Sequence, residues 1–197
     1  MKKWFLDIPF VNRMRKLVGS YFLRKEMRIR TREVQSMGLD SARSIGIIFN
    51  AKDERTFKLI REFSDQLRGG GLRQVKSLGF VPKAEVASFL QSSQDFDFFT
   101  REDFNWYYKP QGRKVVGFMS ESFDILIDLR LNKFISLLYI MGLSRAHFKV
   151  GRFGKGYEDF YDLMIDVDGN EDLSYFIEQI QHYLKMLEGN TEDEATL

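Results

Sequence analysis

Short, continuous apolar runs alternate along this chain with longer segments whose apolar residues recur at helical spacing. The first run, SIGIIFN at 44–50, is of the kind buried on both faces of a parallel sheet. Asp53 then stands where a helix cap belongs. Phe57, Ile60, Phe63 and Leu67 form one face of the helix that follows, and Gly69, Gly70 and Gly71 end it. QVKSLGFV at 74–81 predicts a second strand, Pro82 opens a short helix over 83–91, and DFDFFT at 95–100 predicts a third strand. REDFNWYYKPQG at 101–112 reads as an ordered surface loop, and KVVGFM at 114–119 as a further strand or strand end.

FDILIDL at 123–129 is the next clear strand, and it runs into two charges, Asp128 and Arg130. Asn132 is placed to cap a helix that is apolar nearly all round, from Phe134 to Met141, with Gly142 as its stop. HFKVG at 147–151 and FYDLMIDV at 160–167 predict two more strands. Asp168 and Gly169 supply a turn, and Asn170 is expected to cap a last helix carrying Leu173, Phe176, Ile177, Ile180, Leu184 and Leu187 on one stripe. Strands alternating with helices imply right-handed crossovers. The expected fold is α/β: one three-layer, Rossmann-like or flavodoxin-like domain with a mostly parallel sheet over 41–188. A basic amphipathic helix within 1–40 precedes it, and an acidic flexible tail, 189–197, follows.

Charge sharpens that division. The net charge of the chain is only +2, but residues 1–33 carry +7 and residues 156–197 carry −11. Between 10 and 22, Phe10, Val11, Met14, Leu17, Val18, Tyr21 and Phe22 recur at helical spacing, with Arg13, Arg15 and Lys16 on the other side. Such a helix either docks its apolar stripe on the chain's own core, leaving the cations in water, or meets an anionic surface of lipid or RNA. Asp7, Pro9, Asn12 and Arg13 interrupt any signal-peptide core, and no run approaches the roughly 18–20 apolar residues of a membrane span. The expected location is the cytoplasm, peripheral to the membrane if the basic helix meets lipid.

Several chemistries are absent. With no cysteine there is no disulfide, thiolate nucleophile, iron–sulfur cluster or cysteine zinc site. No glycine-rich turn follows the first strand, where FNAKDERT stands instead, so the dinucleotide signature is missing. GRFGKGY at 151–157 lacks the phosphate-loop order, though Arg152 and Lys155 would let it hold an anion; the alternative is a flexible basic connection. DVDGNED at 166–172 has its glycine in the wrong place for a calcium loop and reads as a turn and helix cap. His147 and His182 lack metal-ligand spacing, and there is no nucleophile elbow, so neither a metal nor a cofactor is expected.

Position nominates what motifs do not. Ligands of open α/β sheets bind outside the carboxyl ends of the strands. Those ends carry Asn50 and Asp53; Asp128, Arg130 and Asn132; and Arg152, with Asn105 and Trp106 of the aromatic loop near the same rim. The competing explanation is that these are turn formers and helix caps.

The succession SIGIIFNAKDERTF, LGFV, DFNWYYKP, FDILIDL and LLYIMGLSRAHFKVGR resembles an uncharacterised bacterial family described only as a domain of unknown function, over about 40–165. It implies an α/β domain behind a basic helix and brings no catalytic residues. FDILIDLR with LLYIMGLSRAHFKVGR is also similar to the N-terminal half of heptosyltransferase-type glycosyltransferases, enzymes that hold a nucleotide sugar with a second α/β domain. Two functions follow as expectations. One is a non-enzymatic interaction module whose residues 2–32 contact a protein, anionic lipid or RNA. The other is a protein that binds a small, anionic molecule or nucleotide at the strand ends, with transferase-like chemistry as its enzymatic form.

Overall fold

Six strands form one sheet in which every pairing is parallel: β1 (Ser44–Asn50), β2 (Gln74–Phe80), β3 (Phe96–Phe99), β4 (Ile125–Asp128), β5 (Phe148–Arg152) and β6 (Leu163–Ile165). Their order is β3-β2-β1-β4-β5-β6, so the chain winds outward one way from β1 and then returns to build the other half from β4. This is the strand order of doubly wound α/β sheets, with its switch between β1 and β4. The computed structural model describes residues 9–82, 90, 93–131, 135–167 and 169–194. The short helix expected over 83–91 and the Asn132 cap lie outside them, apart from Leu90.

Continuous apolar strands work here because both faces are covered. Ile45, Ile47 and Phe49 of β1, Ile125 and Ile127 of β4, and Phe148 and Val150 of β5 share one core with α2 (Glu54–Gly69) and α5 (Leu173–Glu194). Ile48, Leu78, Phe80 and Leu126 share the other with α3 (Arg113–Ser120) and α4 (Ile135–Leu143). Alternate side chains therefore enter opposite cores.

The run KVVGFM forms α3 rather than a strand. Val115, Phe118 and Met119 are buried while Val116 stays exposed, a spacing that only a helix satisfies. Asp172, not Asn170, caps α5: its carboxylate accepts from the Ser174 amide at 2.7 Å, and Asn170 instead accepts from the Asp172 amide at 2.8 Å.

The first helix, α1 (Pro9–Ile29), lies against α4. It is seated at Gly19, where a Cβ would stand 2.3 Å from the Tyr107 carbonyl oxygen of the 101–112 loop and 3.5 Å from Ile135 of α4. Tyr139, fully buried in α4, donates its hydroxyl proton to the Gly19 carbonyl at 2.7 Å. Burial, then the charge of Glu26, raises that hydroxyl's pKa, which keeps it a donor at any physiological pH.

On the same side of the sheet β5 buries a lysine. Lys149 is 3% exposed and donates from Nζ to the Met141 carbonyl in the last turn of α4 at 2.5 Å. Burial, then repulsion from Arg32, pushes its pKa down to about 7, against the pull of Asp162. In the unfolded chain Lys149 keeps its proton to about pH 10. Between those values the unfolded state binds one proton more, so stability rises with pH. Relative to Lys149→Met, wild-type unfolding free energy is expected to rise by about 1.4 kcal/mol per pH unit between pH 8 and 10. Urea titrations at several pH values measure this, and a pH-independent difference would contradict it.

Candidate functional site

The carboxyl edge of the sheet is divided by what β4 does as it ends. The register sets Leu126 beside Lys149, so Asp128 and Gly151 fall on one face two residues further on. Asp128 is 2% exposed and Arg130 6%. The Arg130 guanidinium grips the carboxylate with both arms, Nε donating to Oδ1 at 2.6 Å and Nη2 to Oδ2. Its amide donates to Oδ1 as well, at 3.1 Å. From the other side Tyr161 donates its hydroxyl proton to Oδ2 at 2.6 Å.

Gly151 makes that last bond possible. The Tyr161 ring lies on β5 so closely that a Cβ at 151 would stand 2.4 Å from it. Burial would lower the Arg130 pKa, but the facing carboxylate, aided by the tyrosines, holds it above its ordinary value. Burial and then Asp128 push the Tyr161 hydroxyl well above its own, and burial also raises that of Tyr157. A crevice of about 240 Å³ opens beside this cluster, lined by Arg152, Phe153, Tyr157 and Leu138. Its principal charges are spent on each other.

The other side of the edge is different. Between the ends of β1 and β4, at the switch in strand order, lies a crevice of about 490 Å³, within the range of small-molecule sites. Leu129 and Leu131 line it from β4 and its exit, Leu59 from α2 and Leu173 from α5. Lys52, Arg55 and Lys58 line it on the α2 side, and Glu62, Glu171 and Asp172 bring acids. Asn50, the last residue of β1, also lines it, and its side-chain oxygen is buried without a hydrogen-bond partner.

The helix N-termini at this crevice carry their own carboxylate caps. Asp53 accepts from the Thr56 amide at 2.7 Å, which lowers its pKa, and Asp172 caps α5 likewise. A phosphate cannot seat on those N–H groups as it does in a glycine-rich dinucleotide turn.

The sequence-nominated residues thus separate. Asn50 and Asp53 line the larger crevice, while Asp128, Arg130 and Arg152 line the smaller one; Leu131 borders both. Arg152 donates to the Leu131 carbonyl at 3.4 Å. Asn105 and Trp106 line neither. Asn105 folds its own loop, accepting from the amides of Tyr107 and Lys109, and the Trp106 carbonyl accepts from Arg15 of α1. Asn132 lies outside the described residues. In the 151–157 loop the Gly156 amide donates to Glu158 at 3.2 Å, so that N–H is not free for an anion. Sequence reading missed Tyr161 and the leucines of the crevice. Gly151 inside an apolar strand was the available signal for the first; nothing marks the leucines apart from core.

A family model described as a family of unknown function (DUF6913) matches residues 15–187. No curated protein and no solved structure matches the chain, and the heptosyltransferase likeness of 123–152 gains no support. Among the described residues no helix is long and apolar enough to cross a membrane, and no group of three or more His, Asp or Glu is placed to hold a metal ion.

Removing one partner of the buried pair leaves the other charged in a dry site. Asp128→Ala is expected to cost about 3–5 kcal/mol in urea unfolding, and Asp128→Leu with Arg130→Met much less. A cost for the single variant below about 1 kcal/mol would show that the pair is not sealed from water.

Proposed function

The chain belongs to that family, and we propose that it binds a small polar ligand of nucleotide size in the crevice between β1 and β4. The observation that carries this reading is the orphaned Asn50 oxygen. A buried acceptor without a donor costs about 1–3 kcal/mol, and a turn of the Asn50 side chain toward the crevice would let a ligand N–H or O–H recover it. The leucines lining the crevice suit the flat face of a heterocycle or sugar. Lys52, Arg55 and Lys58 give an anionic group side-chain partners beside helix ends whose Thr56 and Ser174 amides are already taken. This mode differs from that of dinucleotide enzymes, in keeping with the missing glycine turn.

Thermal unfolding with adenosine, uridine, AMP, UMP and UDP-glucose tests it. A ligand at about 100 times its dissociation constant is expected to stabilise the protein by about 2.7 kcal/mol, which is roughly 5–10 °C for a domain of this size. Asn50→Leu removes the orphan at similar volume; it is expected to leave the unliganded protein as stable or more so and to abolish the shift. No shift with any compound, or an equal shift in Asn50→Leu, would overturn the assignment.

A further inference from the structure

We propose that the outward face of α1 is a docking surface for the plane of an anionic lipid bilayer. The helix is mounted inside out. The face it turns to the domain is largely polar or small: Asn12 accepts from the Tyr108 hydroxyl, and Arg15 donates to the Trp106 carbonyl and stacks 4.3 Å over the Tyr108 ring. Further along, Gly19 touches Tyr107 and accepts from Tyr139, and Glu26 pairs with Lys109 at 2.7 Å. Leu23 and the half-buried Met27 insert apolar side chains, and the Phe22 ring packs 5.2 Å from that of Tyr107 at the edge of this face.

The opposite face carries Phe10, Met14, Leu17 and Tyr21, which are 73%, 45%, 59% and 64% exposed. Spaced four, three and four residues apart, they make one stripe about 16 Å long. Contacts at Asn12, Gly19 and Glu26 hold the helix along its length, so the stripe is presented as a fixed line rather than swung on a free arm.

Charge selects the occupant. Arg13, Lys16, Arg24, Lys25 and Arg28 are exposed around the stripe, and the sole acid of α1, Glu26, is turned inward. Two copies meeting through this face would set those cations against each other. Nucleic acid would satisfy the cations but has no place for Met14 and Leu17. An interface of anionic lipid takes both, with apolar side chains at the acyl boundary and cations at the headgroups.

The test is co-sedimentation of the full chain with phosphatidylcholine vesicles, with and without roughly one-third phosphatidylglycerol. Binding is expected to the anionic vesicles and to be at least about tenfold weaker to phosphatidylcholine alone. Leu17→Glu with Phe10→Glu, and separately Arg13→Glu with Lys16→Glu, are each expected to lower vesicle affinity about tenfold or more. All four positions are exposed, and circular dichroism checks that each variant folds. Three outcomes would overturn the proposal. They are no binding to anionic vesicles, binding that both variants retain, and binding to poly(U) or a dimer disrupted by Leu17→Glu without vesicle binding.

Discussion

At the end of β4 a carboxylate and a guanidinium are buried together, and the rest of the sheet's carboxyl edge is organised around them. Neither charge would tolerate that site alone. Asp128 is made acceptable by the two-armed grip of Arg130 and the proton of Tyr161, and Tyr161 reaches it only because position 151 has no side chain. The arrangement fixes where the backbone goes after the strand. Leu131 is thereby set between two crevices, one beside the ion pair and one at the switch in strand order.

This pairing also decides which polar groups are available. On the α4 side Asp128 and Arg130 saturate each other with the help of Tyr161, and Arg152 donates to the Leu131 carbonyl. Across the sheet the caps Asp53 and Asp172 satisfy their own helices, and Asn50 keeps a buried oxygen with nothing to accept. The larger crevice thus combines a buried, unsatisfied acceptor with leucines and with the cations Lys52, Arg55 and Lys58. That contrast, rather than any motif, separates the crevice proposed to bind a ligand from the one lined by the ion pair.

Much of the fold was legible in the sequence for a physical reason. A parallel strand covered on both faces must be continuously apolar, so SIGIIFN and FDILIDL announce themselves, and Asp53 caps α2 while Gly71, at φ 98°, takes the left-handed turn beyond it. KVVGFM reads as a strand because a short apolar run fits either period, and burial of 115, 118 and 119 at helical spacing makes it α3 instead. Asp128 and Arg130 were visible as charges out of place, but their mutual saturation depends on Tyr161, 31 residues beyond Arg130. Asn50 was legible as a strand-end residue; that its oxygen lacks a donor is a property of packing alone. The basic N-terminal helix was equally plain. Its orientation was not, since periodicity locates an apolar stripe without saying which face the domain takes. Here Gly19 allows the close approach, so the polar face docks and the stripe remains outside.

The central claim is that the strand-end chemistry is closed on the α4 side and open on the α2 and α5 side. Mapping amide and methyl shifts by NMR while titrating a nucleoside monophosphate tests it most directly. The account predicts perturbations centred on Asn50, Thr56, Leu131 and Leu173, with Tyr157 and Tyr161 unmoved. Perturbations centred on Tyr157, Tyr161 and Arg152, with Asn50 unmoved, would contradict it.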